Sequence, residues 1–289
     1  MLESSELNIR FHPGWIDEHK KHFLSQLMLI EIKNKNVSIL YDGGGFKDRN
    51  QIMKNAISIA SDCGLFLSSK RFYLFTGDNR PGGIEFDYSY FSISGPRTLQ
   101  HLIVPDPYSF SWNDIGIKSY DEVISQISNI SYKNENNKIK KVFWRGNQEQ
   151  HFSRKKFIEY VKNNELFDVE QADPSQNTFV HMSEVGKFST LIDFPGQGYS
   201  ARLKYLIHSR RPVIVYPREE WDLFSMMLEP DIHYISSLPL VEDTTQRCVM
   251  SLHHDGLQKY YSSSSNRISQ YFNEKNAILL LSNAINKWA

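Results

Sequence analysis

The chain is poor in the features that mark several large protein classes. Its 289 residues include two cysteines, Cys63 and Cys248, far apart and without metal-ligand spacing. That argues against a secreted disulfide scaffold and for two reduced, structural thiols. Neither sign of charge is in excess, since Lys plus Arg and Asp plus Glu each total 33. No broad basic surface follows, and nucleic acid is not expected as a partner. No stretch approaches the ~20 apolar residues of a membrane span. The opening MLESSELNIRFHPGW lacks a basic segment followed by an apolar run, so no signal peptide is read there. A cytoplasmic protein is expected, with at most peripheral membrane contact. There is no internal repeat, and SSSS (262–265) is too short to count as low complexity.

What is present describes a globular chain. Apolar residues make up 40% and aromatic residues 13% of it, enough to bury a sizeable core. The length suits two domains of roughly 140 residues each. In the first half, residues 13–28 read as a helix and 37–45 as a strand running into a glycine loop. Residues 50–61 show helical spacing, 71–78 read as a strand ending at Gly77-Asp78, YSYFSIS and HLIVPDP as further short strands, and 119–131 as a helix. YKNENNKIKK (132–141) has almost no apolar content and reads as the linker. It divides the chain into domains 1–135 and 136–289, with the last helix able to return to the first. Beyond it strands (VFW, LFDV, STLIDF, PVIVY, HYIS) alternate with helices (SRKKFIEYVKNN, SARLKYLIHS, REEWDLFSMML). That pace predicts parallel sheets with crossover helices and ligands at the carboxyl ends of the strands.

Two strand ends carry glycine together with arginine. DFPGQGYSARLKYL (193–206) places Gly196 and Gly198 at a turn, then Ser200 as a cap for the helix that follows, with Arg202 and Lys204 nearby. Glycines permit close approach, and a helix start offers unpaired N–H groups and partial positive charge, so the turn suits a phosphate. A plain strand, turn and capped helix with solvated cations is the alternative. VFWRGNQEQ delivers Arg145 and Gly146 to a second strand end; a diphosphate contact and a structural ion pair are both open to Arg145. Asp78 ends an apolar strand where it could accept a proton, or it forms a turn within DNRPGG. YDGGGFKDRN matches neither dinucleotide nor Walker spacing and reads as a flexible loop. Glu85 and Asp87 fall on one ordinary polar strand face, His253 and His254 lack a third ligand, and FSRKKF reads as a solvated helix face.

The chain resembles glycosyltransferase family 90, which includes capsule xylosyltransferases, protein O-glucosyltransferases and lipopolysaccharide-modifying proteins. The resemblance rests on FWRGN (143–147), LIDFPGQGYSARLKYLI (191–207) and EEWDLFSMMLEPDIHYI (219–235), with YLFTGDNRP (73–81) in the first half. Asn147 stands where the family has Ser, Asn79-Arg80 follow the Asp in place of Tyr-Pro, and Ser236 follows His233-Tyr234-Ile235 in place of Pro. The family implies a GT-B fold, two facing Rossmann-like domains with parallel sheets. It also implies a UDP-sugar donor, a glycan acceptor, inversion at the anomeric carbon and no required metal or other cofactor. The resemblance gives Asp78 the place of the catalytic base. It gives Arg145, Gly146, Asn147, Gly198, Tyr199, Ser200, Arg202 and Glu219 to the UDP-sugar, while Lys204 screens the charge. Glu219 and Glu220 equally suit a helix start. A catalytically inactive glycan- or nucleotide-binding protein is the alternative, and a nicotinamide oxidoreductase is disfavoured by the missing glycine fingerprint.

Overall fold

A two-residue turn sets the architecture of the N-terminal part. In the computed structural model, which describes residues 7–173, 175 and 178–289, the elements to residue 92 are β1 (Ile9–Phe11), α1 (Asp17–Ser25), β2 (Leu27–Lys33), β3 (Asn36–Asp42), α2 (Lys47–Asp62), β4 (Lys70–Phe75), β5 (Ile84–Phe86) and β6 (Ser89–Ser92). The first six residues of the N-terminal stretch read for a signal peptide lie outside the described residues. Asn34 and Lys35 both have positive φ, 50° and 66°, as a type I′ hairpin turn requires. They join β2 and β3 as adjacent antiparallel strands, with Lys33 opposite Asn36.

The sheet is ordered β3-β2-β4-β6. β2 runs antiparallel to both β3 and β4, and only β4 and β6 are parallel. The parallel sheet expected for this half is therefore corrected to a mixed one. A two-residue turn leaves no room for the crossover that parallel pairing needs. The helix expected over 13–28 is confined to α1, because Leu27–Ile32 supplies β2 with a buried run. HLIVPDP is not a strand: Arg97–Leu102 is 3-10 helical, and Ile103 makes a single bridge to Ser92. Phe23 of α1 stacks on Phe75 of β4 at 5.3 Å between ring centroids, in a core with Leu27, Tyr73 and Tyr90.

The C-terminal part comprises α3 (Tyr120–Lys133), β7 (Ile139–Gly146), α4 (Phe152–Val161), β8 (Phe167–Gln171), β9 (Phe188–Asp193), α5 (Leu203–Leu206), β10 (Val213–Val215), α6 (Leu223–Met226), β11 (Ile235–Ser236), α7 (Val241–His253), α8 (Asp255–Ser269) and α9 (Glu274–Trp288). Its sheet is ordered β11-β10-β9-β7-β8, and every neighbouring pair is parallel. All six residues of β9 are buried, as expected of a strand covered on both faces. Trp144, Phe157 and Phe194 form its aromatic centre. The helices expected from SARLKYLIHS and REEWDLFSMML shrink to the four-residue α5 and α6.

Two units divide the chain. The first runs to Trp112 and also takes Glu220–Leu223 and Asn273–Ala289; the second is Asn113–Glu219 with Phe224–Phe272. The polar stretch 132–141, read as the linker, runs from the last turn of α3 into the start of β7 within the second unit, where Glu135 pairs with Arg211. In the first unit α9 packs on α2, and Asn286 donates to the Leu65 carbonyl at 2.7 Å. Among the described residues no helix is long and apolar enough to cross a membrane.

Lys35 holds a left-handed conformation that costs an L-residue about 1 kcal/mol and glycine little. Lys35→Gly is expected to raise the unfolding free energy by about 0.5–1 kcal/mol in urea titration. A loss of stability would show that the turn is not what fixes the β2–β3 pair.

Candidate active site

In the second unit the carboxyl ends of β7, β9 and β10 converge on one carboxylate. Asp193 is the last residue of β9 and its side chain is fully buried. Ser200 donates to its Oδ1 at 2.7 Å, and Arg218, after β10, donates from Nη1 to Oδ2 at 2.6 Å. Arg218 Nη2 also donates to the Asp193 carbonyl at 3.0 Å. Arg202 Nη2 lies 3.9 Å from Oδ1. Arg154, on α4, completes the group by donating to the carbonyls of Pro195 at 2.8 Å and Asn147 at 2.7 Å.

The Arg218 and Arg202 guanidinium groups thus lie on a single buried carboxylate, with that of Arg154 close enough to be repelled by both. Burial is the largest influence on Arg154, followed by repulsion from Arg202, and together with Arg218 they pull its pKa down to about 9. Burial also lowers that of Arg202, which Asp193 partly offsets and Arg218 reinforces. His151 is lowered by burial, then by Arg154 and Arg218. Two donors at this end lack hydrogen-bond partners among the described residues, Arg202 Nη2 and Trp144 Nε1. A cavity of about 40 Å³ is lined in part by both side chains. One water can satisfy the two donors. It brings no negative charge to set against the guanidinium groups, whereas an anion does.

Several expected site residues take other parts. Ser200 does not cap a helix: its hydroxyl goes to Asp193, and the residue preceding α5 is Arg202. With one turn of helix, little dipole stands behind the site. The Arg145 guanidinium is occupied by the Asp168 carboxylate, by Glu170 at 3.3 Å and by the carbonyls of Trp144, Asp168 and Thr178. Its own carbonyl accepts from Arg202 Nη1. Gly146 leaves room for that contact, since a Cβ there would sit 2.9 Å from Arg202 Nη1 and from the Trp144 ring. Asn147 caps a short turn through Glu149 N at 2.9 Å. Gly198 and the buried Tyr199 lie on the turn after β9, where Gly196 N donates to the Tyr199 carbonyl at 3.1 Å. Glu219 is exposed on the loop after β10. Lys204 is fully buried beside the Tyr205 ring, not a screening charge at the surface.

Arg154, Arg218 and Asp193 escaped the sequence reading. The FSRKKF segment, read as a solvated face, buries Arg154 to 7% exposure. A carboxylate inside the apolar run LIDF was the available signal, because such a group needs partners when buried.

In the first unit Asp78 follows β4. Thr76 N donates to the Gln26 carbonyl at 3.0 Å and its hydroxyl to Asn50 Oδ1 at 2.7 Å. Gly77 fits because a Cβ would collide with Gln26 and Phe75. Arg49, on α2, donates to Asp78 Oδ1 at 2.7 Å, to the Thr76 carbonyl at 2.9 Å and to the Tyr108 hydroxyl at 3.0 Å. The Asp78 carbonyl accepts from Ser94 at 2.6 Å. Asp78 Oδ2 has no hydrogen bond among the described residues, and the side chain is 27% exposed. The segment GGGFKDRN, read as a flexible loop, enters α2 at Lys47 and supplies from that helix the residue that orients Asp78. Glu85 and Asp87 form loose exposed pairs with Arg10, and His254 caps α8 through Leu257 N at 3.2 Å. Among the described residues no three His, Cys, Asp or Glu side chains come together to hold a metal.

The second unit is an α/β sheet protein with a cationic centre at the carboxyl ends of its strands, where open α/β sheets take their ligands. A model of glycosyl transferase family 90 matches residues 84–256, well over half of the chain. The chain belongs to that family, and membership assigns it glycosyltransferase activity, with a sugar donor and an acceptor as substrates. The matched segment contains the arginine cluster and begins after Asp78. No curated protein matches the chain.

The cluster makes anion binding pH-dependent. Below about 9 Arg154 is charged in the folded protein. Between there and the value of a free guanidinium the unfolded chain holds more protons, so neutralisation relieves the fold as pH rises. Affinity for an anion runs the opposite way. Affinity for sulfate, whose charge does not change over this range, measured calorimetrically at constant ionic strength, is expected to hold steady up to about pH 9 and fall above it. Arg154→Met should remove that fall.

Proposed function

We propose that the protein is an inverting, metal-independent glycosyltransferase of GT-B architecture. It moves a sugar, with xylose or glucose favoured, from a UDP-sugar to a hydroxyl of a glycan acceptor such as a lipopolysaccharide, capsule or glycoprotein glycan. Donor binding is given to the C-terminal part and acceptor binding to the N-terminal part. The observation that carries the reading is the family membership together with the cluster of Arg154, Arg202 and Arg218 at the buried Asp193 carboxylate. We place the enzyme in the cytoplasm, with at most peripheral contact to a membrane.

In this mechanism Asp78 Oδ2 takes the proton of an acceptor hydroxyl as its oxygen attacks the anomeric carbon. The bond from that carbon to the UDP oxygen breaks, and the electron pair leaves with the diphosphate. Attack opposite the leaving group inverts the configuration. Arg49 holds Asp78 by its other oxygen, so the base keeps one fixed orientation. Arg202, supported by Arg154 and Arg218, takes the growing negative charge where a divalent cation otherwise would. Preorganised donors of this kind are worth ~3 kcal/mol each. Arg145 acts through its carbonyl, which fixes Arg202, and the Gly198–Tyr199 turn lets the diphosphate approach. Exposed Glu219 grips sugar or ribose hydroxyls.

Asp78→Asn should retain UDP affinity while turnover drops at least ~100-fold, the usual worth of a general base. Full activity would remove Asp78 from the mechanism. Arg202→Ala should weaken UDP affinity, and unchanged affinity would refute its diphosphate role. In thermal melts, UDP at ~100 times its dissociation constant should stabilise by about 2.7 kcal/mol, with and without EDTA. No shift with any uridine nucleotide would sink the donor assignment.

A further inference from the structure

The second unit carries another cationic concavity at the opposite end of its sheet. This cleft, of about 430 Å³, lies where strands begin: Lys138 and Lys140 at the start of β7, Ser189 at the start of β9, and Arg210 shortly before β10. Asp193 and Arg145 stand at the far ends of the same strands, so the cleft belongs to neither the arginine cluster nor the donor site. Its other wall is one face of α8. Lys259, Ser262, Ser263 and Asn266 recur at the spacing that places residues on one side of a helix.

The charges do not balance. Lys138 is paired with Glu135 at 2.8 Å, and Glu135 is shared with Arg211. The side chains of Lys140, Arg210 and Lys259 make no hydrogen bond or ion pair with a described residue, and Asp255 is the one carboxylate on the cleft wall besides Glu135. Arg210 is also held in a left-handed conformation, φ 54°, by the turn that closes the helical segment before it. Glycine or asparagine is the usual residue there. Among the described residues no aromatic side chain lines the cleft, so it offers no stacking face for a base or a sugar ring. Lysine, arginine, hydroxyl and amide groups are the donor set for phosphate oxygens.

We propose that this cleft is a second anion site, which takes a phosphate ester through Arg210, Lys140 and Lys259, with Ser262, Ser263 and Asn266 donating to the remaining oxygens. The phosphate is either a membrane lipid headgroup or a group on a soluble ligand. Inorganic phosphate is titrated into the full chain and followed by ¹H–¹⁵N NMR, with chloride at matched ionic strength as control. Saturable shifts at 138–140, 210 and 259–266 are expected. Shifts confined to 145–154 and 193–202, or an equal response to chloride, overturn the proposal.

Lys259→Glu should weaken phosphate about tenfold, as for loss of a charge-assisted bond. Arg210→Gly separates binding from folding, because glycine takes the left-handed conformation without strain. It should lower affinity without lowering the melting temperature, and unchanged affinity in both variants overturns the proposal. Co-sedimentation then identifies the source. Binding to phosphatidylglycerol vesicles but not phosphatidylcholine vesicles, lost in Lys259→Glu, assigns a lipid headgroup. Phosphate binding without vesicle binding assigns a soluble phosphate ester.

Discussion

The second unit is organised around the buried carboxylate of Asp193. A lone ionised carboxylate cannot persist in an apolar sheet; it must be paired and hydrogen-bonded. Ser200 and Arg218 supply the bonds, and in doing so they fix the turn after β9 and the loop after β10 to the same point. Arg202 and Arg154 are then drawn to a charge already spoken for. One residue at a strand end thereby ties two connections together and gathers guanidinium groups around itself.

The first unit solves a different problem. A proton acceptor must point one way and keep a free oxygen. Arg49 meets the first need by bridging Asp78, the Thr76 carbonyl and the Tyr108 hydroxyl. Its ring contacts, 4.3 Å to Phe46 and 5.3 Å to Tyr108, hold the guanidinium from the side. Thr76 and Gly77 meet the second by packing the turn against Gln26 and Asn50, so the backbone that carries Asp78 is fixed before any acceptor arrives.

Sequence pattern revealed the parts of this arrangement that depend on local order. The apolar runs VFW, STLID and VIV are strands of a parallel sheet because nothing but burial on both faces suits them. FWRG and GQGYS lie at strand ends, as read. The pairing of distant charges was not legible. Arg154 sits in a stretch that looks solvated, and its burial comes from the carbonyls of Pro195 and Asn147, one of them 41 residues away. Arg145 kept two readings open in the sequence, and the structure pairs its guanidinium with Asp168 and Glu170 on the neighbouring strand. The hairpin between β2 and β3 was legible but overlooked. Two apolar runs around Asn34-Lys35 carry the turn signature, and a helical reading of 13–28 hid the first of them.

Why the cluster is built from arginine follows from how each is held. Lysine concentrates its charge on one strongly hydrated ammonium, whereas guanidinium has five donors in a plane and is more weakly hydrated. Arg154 uses its fork on the Pro195 and Asn147 carbonyls, Arg218 uses both Asp193 and its backbone, and Arg202 donates to the Arg145 carbonyl. Apart from the Arg218 bond to the Asp193 carboxylate, these bonds satisfy geometry without cancelling charge, since carbonyls accept hydrogen bonds but bring no net negative charge. The groups are therefore rigid and still positive. A ligand that brings negative charge finds donors already oriented, and the repulsion among the three arginines, which costs the empty protein stability, is relieved when that charge arrives. Burial depresses the Arg154 pKa most, and the repulsion that adds to it is available to favour anion binding, growing most useful as charge accumulates on a departing diphosphate.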